Sequence, residues 1–266
     1  MSKVEKTVRP NLFKDFSGTL QVTVLREADI TAEDVATFLS SATSNTLGIA
    51  ASYGSKAVLS TLVLSTETRC LRILFPSHVS KKKQSPQSRT PHNGRRLLQT
   101  RILGNSTYTK LAFDAERVSC GLFLDHGLRI ASLVDAEGLA TPKESRGSIG
   151  RLLEVLGGDG KIEKQLTVRC FDRRLQGNEE QEAVVLRAWA SWMVSIGQAY
   201  GTSVSIIPRI HTNHVDDKVS TIVEIFYDTK MLNDGVQVLM VLSKCVRDAN
   251  QLMALKPTKE IGRAHV

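Results

Sequence analysis

Cysteine is scarce in this sequence of 266 residues, and the four cysteines lie far apart, at Cys70, Cys120, Cys170 and Cys245. Their spacing matches no zinc-ligand or redox motif, so we interpret them as reduced core thiols. Long apolar runs are also missing, because no stretch approaches the roughly 20 residues that cross a bilayer. The charged start, residues 1–6, is unlike a signal peptide. These absences predict an intracellular protein, nuclear or cytoplasmic, with no membrane partner.

Acidic residues are absent from one stretch, residues 77–101, and aromatic residues make up only 5% of the chain. The same stretch holds seven lysines and arginines, whereas the net charge of the whole chain is +8. Pro86, Pro91 and Gly94 give it the composition of a solvated loop. We interpret residues 77–96 as a basic loop insertion that maintains solubility, contacts phosphates or serves nuclear import. The candidate nucleic-acid-binding residues are Lys81, Lys82, Lys83, Arg89, Arg95 and Arg96.

Aliphatic and β-branched runs of strand length fill the centre of the chain. Residues 47–75 predict three short strands, joined by turns at residues 53–55 and 65–68. Ahead of them, residues 20–25 predict an edge strand. Thr31 then predicts the N-cap of a helix that carries Asp34 at its third position. Apolar runs of this kind are typical of a sheet that is covered by helices on both faces.

The following part of the chain alternates helical and extended patterns. Residues 95–103 predict a short helix, 109–113 a strand, 116–124 a helix and 130–134 an extended segment. A helix around residues 149–156 and a longer one from residue 179 to about 200 follow. Trp189 and Trp192 lie on the apolar side of the longer helix, so we expect them in the core. This order of elements predicts an α/β sandwich with a mixed sheet.

The domain organisation that we infer has four parts. Residues 1–19 form a polar N-terminal arm, and residues 20–200 form one domain that contains the basic loop insertion. Residues 201–259 form a C-terminal extension, in which residues 235–255 predict an amphipathic helix and residues 221–231 fit either a strand or a helix. Residues 260–266, EIGRAHV, look like translated adapter sequence and are excluded from the fold analysis.

Several segments match one family in order and spacing. The best is KLAFDAERVSCGLFLDHGLRIASLVDAEGLA at residues 110–140, followed by SIGRLLEVLGG from Ser148, residues 166–170, and the helix start at residues 177–181. Together they resemble the DEDD-type 3′-to-5′ exonuclease domain, which occurs in the Werner-type exonuclease and ribonuclease D. The resemblance covers about residues 20–200. It implies a ribonuclease H-like three-layer fold, with a mixed central sheet flanked by helices, plus a helical C-terminal extension.

The chemistry of that family requires two divalent metal ions, held by four carboxylates, that activate a water and neutralise the phosphodiester oxygens. The resemblance places the family's site positions on residues without a carboxylate, and all of them except Ser52 are alkyl groups, which offer no ligand atoms. It therefore implies a degenerate member with no catalytic residue, no metal ligand and no cofactor. The equivalent positions are Ala50, Ser52, Val118, Val184 and Ala188.

Three functions remain open at this point. The first is a nucleic-acid-binding module, for DNA or RNA, that has kept the exonuclease fold without its activity. The second is a protein-interaction scaffold that is built on the same inactive domain. The third is an active 3′-to-5′ exonuclease that uses magnesium or manganese, because Asp114, Glu116 and Glu182 lie near the family's positions in sequence.

Overall fold

The computed structural model describes residues 3–54, 57–76, 93–139, 148–157, 160–172, 175–196, 207, 209–212, 222–227 and 239–243. The strands are β1 (Val4–Val8), β2 (Leu20–Arg26), β3 (Thr46–Tyr53), β4 (Leu59–Ser65), β5 (Arg69–Leu74), β6 (Thr109–Ala112), β7 (Leu133–Asp135), β8 (Arg209–His211), β9 (Ile222–Tyr227) and β10 (Leu239–Ser243). The helices are α1 (Ala32–Ser40), α2 (Asn93–Leu97), α3 (Ala115–His126), α4 (Ile149–Val155), α5 (Lys164–Cys170) and α6 (Gly177–Ile196). A 3₁₀ turn over Glu27–Asp29 precedes α1, and a π-helical turn over Leu98–Leu103 continues α2.

The strands form one mixed sheet with the order β1-β2-β5-β4-β3-β6-β7-β8-β9-β10. At its centre, β3 pairs antiparallel with β4 and parallel with β6. Strand β4 pairs antiparallel with β5, and β6 pairs parallel with β7. Strand β3 thus lies between the antiparallel β4–β5 hairpin and the two parallel strands β6 and β7, which is the ribonuclease H-like arrangement. The prediction of an α/β fold with a mixed central sheet is therefore confirmed.

Helices cover both faces of this sheet. On one face, α1, α3 and the π-helical turn pack on the strands through an apolar cluster that includes Val35, Leu98 and Val118. On the other face, α4, α5 and α6 pack through two further clusters. Strands β3 and β4 are buried almost end to end, which explains why their sequences lack a regular alternation of apolar and polar residues.

Helix α6 lies directly on β3 because Gly48 has no side chain. A Cβ atom at this position would overlap the carbonyl oxygen of Ala188 and lie 2.6 Å from the amide nitrogen of Trp192. Trp189 anchors the same helix, since its Nε1 donates a hydrogen bond to the carbonyl oxygen of Glu67 at 3.1 Å. Both tryptophans are at most 1% exposed, so their predicted place in the core is confirmed.

Helix α1 begins as the sequence predicts. The backbone N–H of Asp34 donates to Oγ1 of Thr31 at 3.1 Å, and the N–H of Thr31 donates to Oδ2 of Asp34 at 3.1 Å. This reciprocal pair satisfies two backbone donors that the first turn of a helix otherwise leaves without partners. None of the described helices is long and apolar enough to cross a membrane.

The three cysteines within the described residues, Cys70, Cys120 and Cys170, are free thiols, as predicted. Burial raises the pKa of each of them to about 12. A thiol must lose its proton to act as a nucleophile or a metal ligand, so these side chains serve packing at neutral pH.

The N-terminal segment, predicted as a polar arm, contains a strand. Strand β1 pairs antiparallel with β2, with Val4 opposite Val24 and Val8 opposite Leu20. The prediction that residues 20–25 form an edge strand is wrong, because β2 lies between β1 and β5. Four of the five residues of β1 are exposed, so its sequence lacks the apolar alternation that would mark it as a strand.

The helix predicted over residues 235–255 is wrong for residues 239–243, which form β10. This strand pairs antiparallel with β9, and β9 pairs antiparallel with β8, so the same sheet continues into the C-terminal extension. A short apolar run such as residues 239–242 fits a strand as well as a helix, and pairing with a neighbouring strand decides between them. The remainder of the predicted helix and residues 260–266 lie outside the described residues.

Replacing Gly48 with alanine is predicted to destabilise the protein strongly, because the new methyl group would meet the backbone of α6. Overpacked cores lose about 1–3 kcal/mol, and contact with helix backbone places this variant at or above that range. Thermal unfolding measures the loss. Gly160→Ala is the control, since a Cβ atom there meets nothing within 4 Å. Equal melting temperatures for the two variants would contradict the close packing of α6 on β3.

Candidate functional site

A cleft opens where β3, the start of α3 and the middle of α6 meet. It encloses about 640 Å³ of empty space, including space that is open to solvent. Its walls carry apolar residues from β3 and α3, together with Asp114 and Arg187. A smaller cleft of about 390 Å³ adjoins it and shares Ala51, Tyr53, Asp114 and Arg187. The two form one continuous depression, which we call the β3 cleft.

The family-equivalent positions that the sequence identified meet around this cleft. Ala50 packs with Val184 and Ala188 in one apolar cluster between β3 and α6. Val118 reaches the same cleft from the first half of α3. Ser52 lies in the adjoining part, where its Oγ is 3.4 Å from the Oγ of Ser60 on β4. The structure therefore brings together residues that are far apart in sequence.

Ala50, at 8% exposure, and Val118, at 2%, line the β3 cleft with alkyl groups. Val184 and Ala188 are fully buried in the apolar cluster with Ala50 and do not line the cleft. Methyl groups have no lone pair to offer a hard cation, and Mg²⁺ or Mn²⁺ takes oxygen ligands. Among the residues that the structure describes, no group of three or more His, Cys, Asp or Glu side chains is placed to hold a metal ion. The residues at these positions do not fit a two-metal centre.

The rim of the cleft is charged, and carboxylates outnumber guanidinium groups. The lining includes the acids Asp114, Glu137, Asp172 and Glu180, and the arginines Arg117 and Arg187. The guanidinium carbon of Arg117 lies 3.9 Å from the centroid of the Tyr53 ring, at the distance of a cation–π contact. Burial raises the pKa of Tyr53 well above its usual value, so its phenol stays protonated at any physiological pH.

Sequence analysis missed the two arginines because no motif marks them. Arg117 directly precedes Val118, and Arg187 directly precedes Ala188. Their place beside the cleft becomes visible only when the helices that carry these family positions are known. Of the nearby acids considered from the sequence, Asp114 lines the cleft at the N-cap of α3. Glu182 lines a separate groove between the N-terminal segment, α5 and α6.

The candidate nucleic-acid-binding residues divide into two groups. Lys81, Lys82, Lys83 and Arg89 lie outside the described residues. Arg95 and Arg96 belong to helix α2, which agrees with the short helix predicted from residue 95 and places the end of the loop insertion before residue 93 and not at residue 96.

Helix α2 has a fixed position because it packs on the 3₁₀ turn before α1. Arg95 lies 3.1 Å from Oε1 of the buried Glu27 on that turn. At Gly94, a Cβ atom would overlap the carbonyl oxygen of Glu27. This contact joins residues that are far apart in sequence, so it could not be predicted from the composition of the segment.

Comparisons with known proteins give similarity in structure only. No family model and no curated protein matches the sequence. Ribonuclease D of Trypanosoma brucei is 15% identical with a TM-score of 0.41, and the overlap covers 65% of this chain and 64% of that one. The exonuclease domain of Aedes aegypti Nibbler is 13% identical with a TM-score of 0.40, covering 65% and 87%. The EXD2 exonuclease domain is 19% identical with a TM-score of 0.31, covering 69% and 92%.

Replacing Ala50 and Val118 together with aspartate is predicted to destabilise the metal-free protein by a few kcal/mol, because two carboxylates would be desolvated in one cleft. Thermal unfolding in a chelating buffer measures the loss. The control is Ala36→Asp with Val4→Asp, which makes the same chemical changes at exposed positions.

Added Mn²⁺ should raise the melting temperature of the cleft variant and not that of the control, since an ion that binds only the folded state stabilises it. If the cleft variant is as stable as the control, Ala50 and Val118 do not share a buried cleft.

Proposed function

We propose that this protein is a catalytically inactive module of the 3′-to-5′ exonuclease type that binds nucleic acid. The observation that carries the proposal is that no carboxylate stands at the positions that correspond to the family's four metal-binding acids, which are Ala50, Ser52, Val118 and Ala188. Val184 stands at the position of the family's tyrosine. The fold is retained around these positions, whereas the groups that would perform hydrolysis are replaced.

Loss of the carboxylates removes the basis of the reaction. In two-metal hydrolysis the ions activate the attacking water and stabilise the charge that develops on the leaving oxygen. Asp114 is a carboxylate that lines the cleft, but the family-equivalent positions that line it with Asp114 are Ala50 and Val118, which are alkyl. One such oxygen donor does not replace the set of ligands that holds two hard cations. The protein is therefore expected to leave phosphodiester bonds intact.

Binding of nucleic acid is supported by the distribution of charge along the chain. Residues 77–101 hold seven of the basic residues and no acid, in a chain with a net charge of +8. Lysine and arginine that neutralise phosphates release condensed counterions, and this release drives association at low salt. The last part of this stretch forms α2, which begins at Asn93, and the start of the π-helical turn. It is accordingly the part of the sequence that we assign to phosphate contacts.

Because the protein is proposed to be inactive, we expect it to release no nucleotides from single-stranded or recessed-end DNA or RNA in the presence of Mg²⁺ or Mn²⁺. Shortening of end-labelled substrates is measured on gels after long incubation. Asp114→Asn is the matched variant, since it removes a carboxylate of the cleft without changing the size of the side chain. Metal-dependent release that disappears in this variant would overturn the proposal and support the active exonuclease.

Replacing Lys81, Lys82 and Lys83 with glutamine is predicted to weaken nucleic-acid binding and to leave the melting temperature unchanged. Each lost phosphate contact lowers the slope of log affinity against log salt by about 0.9 for a duplex. The control replaces Lys6, Lys161 and Lys164, which are exposed elsewhere on the described chain, and carries the same change in net charge.

Fluorescence anisotropy with labelled oligonucleotides across a salt series makes this measurement. Absence of binding by the parent protein at low salt would contradict the nucleic-acid function and favour the protein-interaction scaffold. A fall in melting temperature for the lysine variant would show that the segment supports the fold.

A further inference from the structure

The β3 cleft joins an apolar part to a polar part. The larger part is lined by aromatic and aliphatic side chains that include Phe113, Phe171 and Leu152. The rings of Phe113 and Phe171 meet edge to face, with their centroids 4.9 Å apart. The smaller part is lined mainly by polar and charged side chains, and Tyr53 and Arg187 belong to both parts. Small-molecule sites commonly combine an apolar wall with a few polar groups in this way.

Two guanidinium groups of the cleft keep hydrogen-bond donors that a ligand could use. Arg117 lies over the ring of Tyr53, and the Nε of Arg187 donates to the carbonyl oxygen of Ala183 at 3.4 Å. Neither arginine pairs with an acid within the part of the chain that the structure describes. A guanidinium carries five N–H donors, so most of them stay available in both residues.

The carboxylates of the cleft are already engaged. Asp114, Glu137 and Asp172 each have further interactions in the structure, and Glu180 interacts electrostatically with Arg72. Because these acids outnumber the two arginines of the lining, the repulsion that an anionic ligand meets grows with its charge. A carboxylate carries a single charge at neutral pH, whereas a phosphate monoester carries about 1.5 to 2. The lining therefore favours a carboxylate over a phosphate.

A buried hydroxyl of the same lining lacks a partner. The Oη of Tyr53 is buried and makes no hydrogen bond with any residue that the structure describes. A buried polar group without a partner costs free energy, so native structures usually satisfy such groups. The phenol stays protonated at physiological pH, because burial raises its pKa, and it can donate to an anion. Tyr53, Arg117 and Arg187 all line the smaller part of the cleft and offer donors there.

We propose that the β3 cleft binds a small aromatic carboxylate without a metal ion. The ring of the ligand packs beside Phe113 and Phe171, and its carboxylate accepts hydrogen bonds from Arg117, Arg187 and Tyr53. A guanidinium matches the geometry of a carboxylate and can bind it through two parallel bonds. This binding function goes beyond the proposed contacts with nucleic acid, and it uses no residue of the basic stretch 77–101.

The test uses 2-naphthoate as the probe, and isothermal titration calorimetry in a buffer that contains EDTA measures its binding. Three further ligands separate the parts of the site on the unchanged protein. 2-Naphthamide keeps the aromatic rings without the charge, and cyclohexanecarboxylate keeps the charge without the aromatic rings. Guanosine monophosphate carries a phosphate in place of the carboxylate. We expect 2-naphthoate to bind more tightly than each of the other three.

Arg117→Gln with Arg187→Gln is expected to weaken the binding of 2-naphthoate by about tenfold or more, because charge-assisted hydrogen bonds are the strong ones. Arg26→Gln with Arg101→Gln makes the same change in charge at exposed positions outside the cleft and should bind like the parent protein. Tyr53→Phe should also bind more weakly, since it removes the hydroxyl and keeps the ring. Thermal unfolding verifies that each variant is folded.

Failure of the parent protein to bind 2-naphthoate at millimolar concentration overturns the inference, and so does equal affinity for 2-naphthamide. Equal binding by the cleft variant and the exposed control also overturns it. If guanosine monophosphate binds as tightly as 2-naphthoate in EDTA, the assignment to a carboxylate is wrong. If the cleft variant does not fold, the comparison of the four ligands on the parent protein decides. None of these results bears on nucleic-acid binding by the basic stretch, which the lysine variant tests separately.

Discussion

The contact between α6 and β3 at Gly48 is the constraint on which the rest of the structure depends. The missing side chain lets the backbone of the helix near Ala188 and Trp192 approach the first core strand directly. That approach places Ala188 and Val184 against Ala50, and it fixes the wall of the cleft that α3 completes with Val118. A side chain at position 48 would separate the helix from the sheet, and the cleft would lose its shape.

The same contact suits the metal-free interior that we propose for this domain. Carboxylates crowded around absent metal ions repel one another, so alkyl groups at Ala50, Val118 and Ala188 suit a metal-free interior better than acids would.

Much of the fold could be predicted from the sequence, because the local sequence pattern of these elements agrees with their place in the fold. The apolar runs of β3 to β5, the cap at Thr31 and the helical start at Gly177 each specify their element without help from distant residues. Two other features depend on partners that are remote in sequence. Strand β1 is defined by its pairing with β2, and β10 by its pairing with β9. The cleft positions followed from the family resemblance, whereas Arg117 and Arg187 required the helices that present them.

The central claim is that the β3 cleft binds no pair of divalent ions. Electron paramagnetic resonance during titration of the purified protein with Mn²⁺ tests it most directly, because only free Mn²⁺ gives the sharp solution signal. If the cleft binds no such pair, the signal of free Mn²⁺ rises with added metal as it does in buffer alone. Removal of Mn²⁺ from solution by two sites on each chain, abolished when Asp114 is replaced, would contradict it.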